Sequence, residues 1–137
     1  MGIKRPKKNL KIKEKELDSL NGIEYPVFCF KYLQPCSIKD CHEPKFFFHF
    51  LERLQKLSNI GWKKIRISYR HGFGTEKIPI EKIKPQLPTF VTPEIKHLIV
   101  FRADGDNRPF LGLINKNRKL FHIIFIESQF GDIYDHN

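Results

Sequence analysis

The chain has 137 residues, enough for one domain with a real core and too few for two comfortable ones. Apolar residues make up 40 % and the formal charge is +10, which points to a polyanionic partner: nucleic acid, an anionic membrane or an acidic protein. No apolar run approaches the roughly 20 residues of a membrane-spanning helix, so no membrane partner is expected.

Residues 1–22 read as a basic arm. Lys4, Arg5, Lys7, Lys8, Lys11, Lys13 and Lys15 face a single acid, Glu14, within the first fifteen positions. Such a segment has little to bury, and serves either as a solubilising tail or as a nucleic-acid or partner contact. It has no apolar h-region, so it is not a secretory signal, and the cytoplasm is the default location. Residues 23–137 form the single domain.

"YPVFCFKYL" predicts a first strand at about 27–33, with Pro26 confining it to a strand start or an edge. "QPCSIKDCHEP" reads as a loop. Its Cys36 and Cys41, with His42 and the earlier Cys29, lack a second cysteine pair and the usual zinc-knuckle spacing. Free or structural thiols are expected there, and no metal or other cofactor.

"PKFFFHFLERLQKLSN" switches to helical period. Phe47, Phe50, Leu51, Leu54 and Leu57 fall on one face, with His49 off it. Pro44 suits the first turn, and Asn59 with Gly61 provides the stop. "GWKKIRIS" predicts a second short helix, with Trp62 and Ile65 inward and Lys63, Lys64 and Arg66 outward. "YRHGFGTEKIPIEKIKPQLPTFVTPE" reads as a long ordered loop with at most one short helix near Ile80 to Lys84, and long loops in small domains often carry function. Arg70 and Lys77 add to its positive charge.

The last third is strand pattern: "HLIVFRA", "RPFLGLI" and "KLFHIIFIE", joined by "DGDN" and "NKNR" turns. The predicted fold class is α+β: an antiparallel sheet made of a strand, two helices, a long loop and a three-strand meander, with the helices packed on one face.

Arg102 follows Leu98 and Val100 at period 2 and shares their sheet face. A buried guanidinium without a partner is costly. Arg102 therefore pairs with Asp104, Asp106 or Glu127, or opens onto a polar cleft. Arg108 starts the next strand, close to Arg102 across a short turn. Two adjacent guanidiniums repel unless an anion lies between them, and a phosphate accepts their donors well. Structural pairing and phosphate binding both fit.

His122 alternates with Leu120 and Ile124, either as a core histidine or as an imidazole on the face of Arg102. His71 lies between Arg70 and Gly72, where backbone can approach a ligand closely. Tyr134, Asp135 and His136 form an acid–base cluster if the chain end is tied down. "RISYRH" matches the R-x4-H spacing of helical HEPN ribonucleases, but those domains lack the strands expected here. No P-loop, dinucleotide, nucleophile-elbow or zincin motif is present. Asp104, Asp106, Glu127, Asp132 and Asp135 show no spacing that singles out a two-metal site.

The order strand–helix–helix–strand–strand–strand, the segment "FRADGDNR" and the ending "FGDIYDH" resemble the RelE/HigB/YoeB group of bacterial toxins over residues 27–136. The basic arm and the long loop depart from that pattern. The resemblance implies metal-free endoribonuclease activity on mRNA, typically ribosome-bound, and silencing by an antitoxin protein. Cleavage would proceed by attack of the RNA 2′-hydroxyl on the neighbouring phosphate. Arg102 and Arg108 would stabilise charge on phosphorus. The acid and base would come from His71, His122, Tyr134 and His136, and Lys63, Lys64, Arg66, Arg70 and Lys77 would hold the RNA. Two other readings remain open: a non-catalytic basic nucleic-acid-binding module, and an adaptor or inhibitor that binds an acidic protein.

Overall fold

The computed structural model describes residues 24–40, 43–70, 72–103, 108–115 and 120–136. The arm at 1–22, Cys41 and His42, His71 and the Asp104–Asn107 turn lie outside them, as does most of the second turn. Strand β1 (Val27–Cys29) leads through a short helix α1 (Pro35–Asp40) to the long helix α2 (Pro44–Ile67). Then come β2 (Glu76–Pro79), a 3-10 turn (Ile80–Lys82), and strands β3 (His97–Arg102), β4 (Pro109–Asn115) and β5 (Leu120–Ile126). These elements make an α+β fold around one five-stranded sheet of order β1-β5-β4-β3-β2.

The three apolar runs become β3, β4 and β5, paired antiparallel. The sheet as a whole is mixed rather than antiparallel. β1 runs parallel to β5, with Phe28 opposite Phe121, because the helices carry the chain to β2 at the far edge and the antiparallel run β2–β3–β4–β5 then brings it back beside β1. β1 also stops at Cys29, four residues short of the predicted end. The long loop contains β2, which pairs antiparallel with β3. A four-residue edge strand ending in proline leaves too short a pattern to be read as one.

α2 matches the two predicted helices joined at a kink. Gly61 there has φ 81°, and a Cβ would sit 2.9 Å from the Glu24 carbonyl oxygen. That carbonyl accepts a 2.6 Å hydrogen bond from the Trp62 N–H. Glycine is needed for both the left-handed backbone and the close approach. Trp62 and Ile65 point inward, and Lys63, Lys64 and Arg66 outward. Lys64 and Arg66 also face the negative end of the helix dipole. The buried face earlier in α2 is Phe46, Phe50, Leu54 and Leu57. Phe47 and Leu51, expected inside, are exposed. The run "FFFHF" fits helical period in more than one phase, so it cannot set the rotation.

The two sheet faces are closed differently. On the helix side, Phe101 and Phe110 stack at 5.1 Å, and the Phe28 edge meets Phe101, Phe110 and Phe121 at about 6 Å. The opposite face carries Leu98, Val100, Leu111, Ile124 and Phe125. Residues 78–91 cross it as a strap, contributing Ile78, Ile80, Ile83, Leu87, Phe90 and Val91. A chain hook after β5 adds Ile133 and Tyr134. Burying such a side chain fully contributes about 1.5–3 kcal/mol, and the half-buried strap residues contribute less each. Among the described residues, no helix is long and apolar enough to cross a membrane.

Candidate active site at the C-terminal end of the sheet

Arg102 lies on the strap face, as its alternation with Leu98 and Val100 requires. Only 5 % of it is exposed. Its Nη2 donates to Glu76 Oε1 at 2.8 Å. Glu76 is the first residue of β2, and its other oxygen accepts from Arg70 Nη1 at 3.2 Å. One carboxylate thus bridges an inner arginine and an outer one, since Arg70 is 61 % exposed. The partners expected for Arg102 were Asp104, Asp106 or Glu127. Glu76 was missed because "EKIP" in a lysine-rich loop gives no sign that it becomes β2.

Glu127 follows β5 directly and is fully buried. Its Oε2 accepts from the Ile133 N–H at 3.0 Å, and its Oε1 meets His136 Nε2 at 2.5 Å. The His136 ring lies between Phe130 and Tyr134, at 4.2 and 4.3 Å between centroids. The "YDH" ending is therefore tied down. The Tyr134 hydroxyl is buried and makes no hydrogen bond of ordinary geometry. Burial pushes its pKa up to about 12, against the opposing pull of the Arg102 charge, with Glu76 and Glu127 adding to the rise. It stays a neutral phenol through the physiological range.

Lys84 of the strap holds this hook from the other side. Its N–H donates to the Ile133 carbonyl at 2.8 Å. Its Nζ donates to the Gly131 carbonyl at 2.7 Å and pairs with Asp135 Oδ1 at 2.7 Å. Nothing in the Lys84 sequence context marks this role.

Two predicted members lie elsewhere. Arg108 does not join Arg102 around one anion. Arg102 pairs with Pro109 in the ladder, so the preceding Arg108 leaves the opposite face. Its guanidinium sits 5.1 Å above the Phe46 ring and 3.7 Å from Glu43, on the helix side. The hairpin brings the two backbones together and sends the side chains apart. His122 is opposite Leu113, four strand positions from Pro109, or roughly 13 Å away along the sheet. It packs near Tyr32 at 5.3 Å, and its buried Nδ1 makes no hydrogen bond. His71 lies outside the described residues.

Lys63 and Lys64 are exposed on the last turns of α2. Arg66 and Lys77 line one open groove of about 670 Å³ with Lys96 and His97 over Ile95 and Ile99. Lys96 and His97 were not foreseen as members of this basic surface. Cys29 and Cys36 are free thiols. Among the described residues, no three His, Cys, Asp or Glu side chains come together as a metal site.

The arrangement can hold a proton acceptor in a fixed orientation, since a buried carboxylate fixes the His136 ring as it does in acid–base dyads generally. Beside it lies a neutral phenol that feels the charge of Arg102, and the exposed Arg70 shares Glu76 with Arg102. No family model, curated protein or solved structure matches the chain.

Proposed function

We propose that the protein is a metal-independent endoribonuclease of the toxin type, cleaving RNA by 2′-hydroxyl attack at the Glu127–His136–Tyr134 cluster. The observation that carries this reading is the buried Glu127 carboxylate holding His136 next to a Tyr134 kept neutral by burial. His136 takes the proton from the 2′-hydroxyl. The 2′-oxygen bonds to phosphorus, the bond from phosphorus to the 5′-oxygen breaks, and the Tyr134 phenol protonates that leaving oxygen. Solvent then takes the proton from His136 and returns one to the Tyr134 phenolate. Arg70, the outer arginine on Glu76, meets the phosphate, while Arg102 fixes Glu76 from inside. Phe130 is exposed and covers the His136 ring, so it moves aside for substrate.

The resemblance to the RelE/HigB/YoeB group supplies the wider setting: mRNA on the ribosome as substrate, an antitoxin protein as partner, and a cytoplasmic location. Purified protein should cleave RNA, or arrest translation, with EDTA present. His136→Ala and Tyr134→Phe should remove this activity with the fold retained. If the wild-type protein leaves RNA intact, the catalytic reading fails.

One observation favours a second reading, a non-catalytic nucleic-acid-binding module. Arg102 is engaged by Glu76, and Arg108 lies on the other face, so the two do not form a phosphate clamp. That module would retain intact RNA or DNA, with affinity falling steeply as salt rises.

A further inference from the structure

Tyr69 is 90 % exposed, and neighbouring Ile67 is 83 % exposed. Ile67 is the last residue of α2, and Tyr69 lies two residues beyond its basic end. Yet the backbone that presents Tyr69 is firmly held. Its carbonyl accepts from the N–H groups of Gly72 and Gly74 at 2.9 and 2.8 Å. Ser68 Oγ donates to the Lys64 carbonyl at 2.7 Å. Arg53 Nη1 donates to the Gly72 carbonyl at 3.1 Å, and its guanidinium lies 4.7 Å over the Phe73 ring. A Cβ on Gly74 would collide with the Ser68 carbonyl, so the turn closes this tightly only with glycine. The turn thus holds the backbone that presents an aromatic ring to water.

Tyr69 lines an open hollow of about 540 Å³ together with Lys64, Ile67, Gly72 and Phe73. Arg70, next in the chain, reaches Glu76, the carboxylate that also holds Arg102. We infer that Tyr69 is a stacking platform for an unpaired base of single-stranded RNA, with Lys64 and Arg70 taking the flanking phosphates. The RNA reading above supplies the ligand class, and the geometry supplies the place. A tyrosine ring costs little conformational entropy to hold. Stacking on it tolerates any base, because every base has a π-face. A duplex keeps its bases inside and cannot use the platform. The local charge suits phosphates rather than a basic partner.

The test uses the full-length protein and a short single-stranded 2′-O-methyl oligoribonucleotide carrying 2-aminopurine, which cannot undergo 2′-hydroxyl attack. Binding to the wild-type protein should quench the 2-aminopurine. Tyr69→Ala should lose the quench and weaken the Kd about tenfold. Tyr69→Phe should keep both, and a duplex of the same sequence should bind without quenching. An unchanged quench in Tyr69→Ala overturns the inference. So does a wild-type protein that ignores the oligonucleotide, including one that takes an acidic peptide instead. Cleavage of unmodified RNA is scored separately. Its absence would sink the catalytic reading and leave the platform standing.

Discussion

The helix face and the strap face of the same sheet are closed by opposite means. On one, six side chains of a single long helix press onto stacked phenylalanines, and little polar chemistry intrudes. On the other, a loop and a chain hook lie over aliphatic residues, and their end carries Glu76, Arg102, Glu127 and His136. A helix supplies its own backbone hydrogen bonds and can cover a sheet with apolar side chains alone. A strap cannot, and its backbone is anchored to whatever polar groups the sheet end provides. Those anchors then occupy low-dielectric surroundings, where they can acquire chemical function.

Five substitutions would test this contrast. The largest loss is expected on the helix face. Phe110→Ala removes a fully buried ring that contacts Phe28, Phe50, Phe101 and Phe121, and should cost about 3–5 kcal/mol in urea unfolding. The loss should be nearly independent of salt.

On the strap face, Glu76→Ala strips the ion pair from Arg102. The expected cost is about 2 kcal/mol, below that of a wholly buried pair because Glu76 still meets solvent. Arg102→Met should cost less, since Glu76 keeps Arg70. If the two variants cost the same, the nested arrangement of arginines is wrong.

Lys84→Met should cost only about 0.5–1 kcal/mol, because the Lys84–Asp135 pair is exposed and screened. Its signature is local: faster amide hydrogen exchange over residues 131–136, mimicked in wild type by high salt. Uniform exchange across the chain would remove Lys84 as the tie.

Tyr134→Phe should be nearly silent in stability at neutral pH and visible only in alkali. The folded phenol titrates near 12 and the unfolded one near 10. Above pH 10 the unfolded chain therefore loses its proton first. The stability that the neutral phenol contributes is present below pH 10 and is lost as pH rises toward 12. Unfolding curves across that range should be flatter for Tyr134→Phe than for wild type.

The contrast also explains what could be read from the sequence. The apolar runs of β3, β4 and β5 and the inward Trp62 and Ile65 of α2 follow from periodicity, which records burial directly. Tyr134 and His136 could be named because they cluster in the chain. Glu76, Lys84 and the separation of Arg102 from Arg108 could not. Each depends on which distant strand lies alongside, or on which face a residue leaves. The parallel β1–β5 pair was missed for the same reason, since no local pattern encodes a partner so far along the chain. α1 was hidden by its length, a six-residue helix with proline at its start.

That parallel pair has a consequence for how the molecule is made. β3, β4 and β5 join through neighbours in sequence and can assemble early, whereas β1 docks only on a finished β5. Glu127 and His136 come later still in synthesis. A nascent chain on the ribosome therefore exposes its basic helix long before Glu127 and His136 can meet.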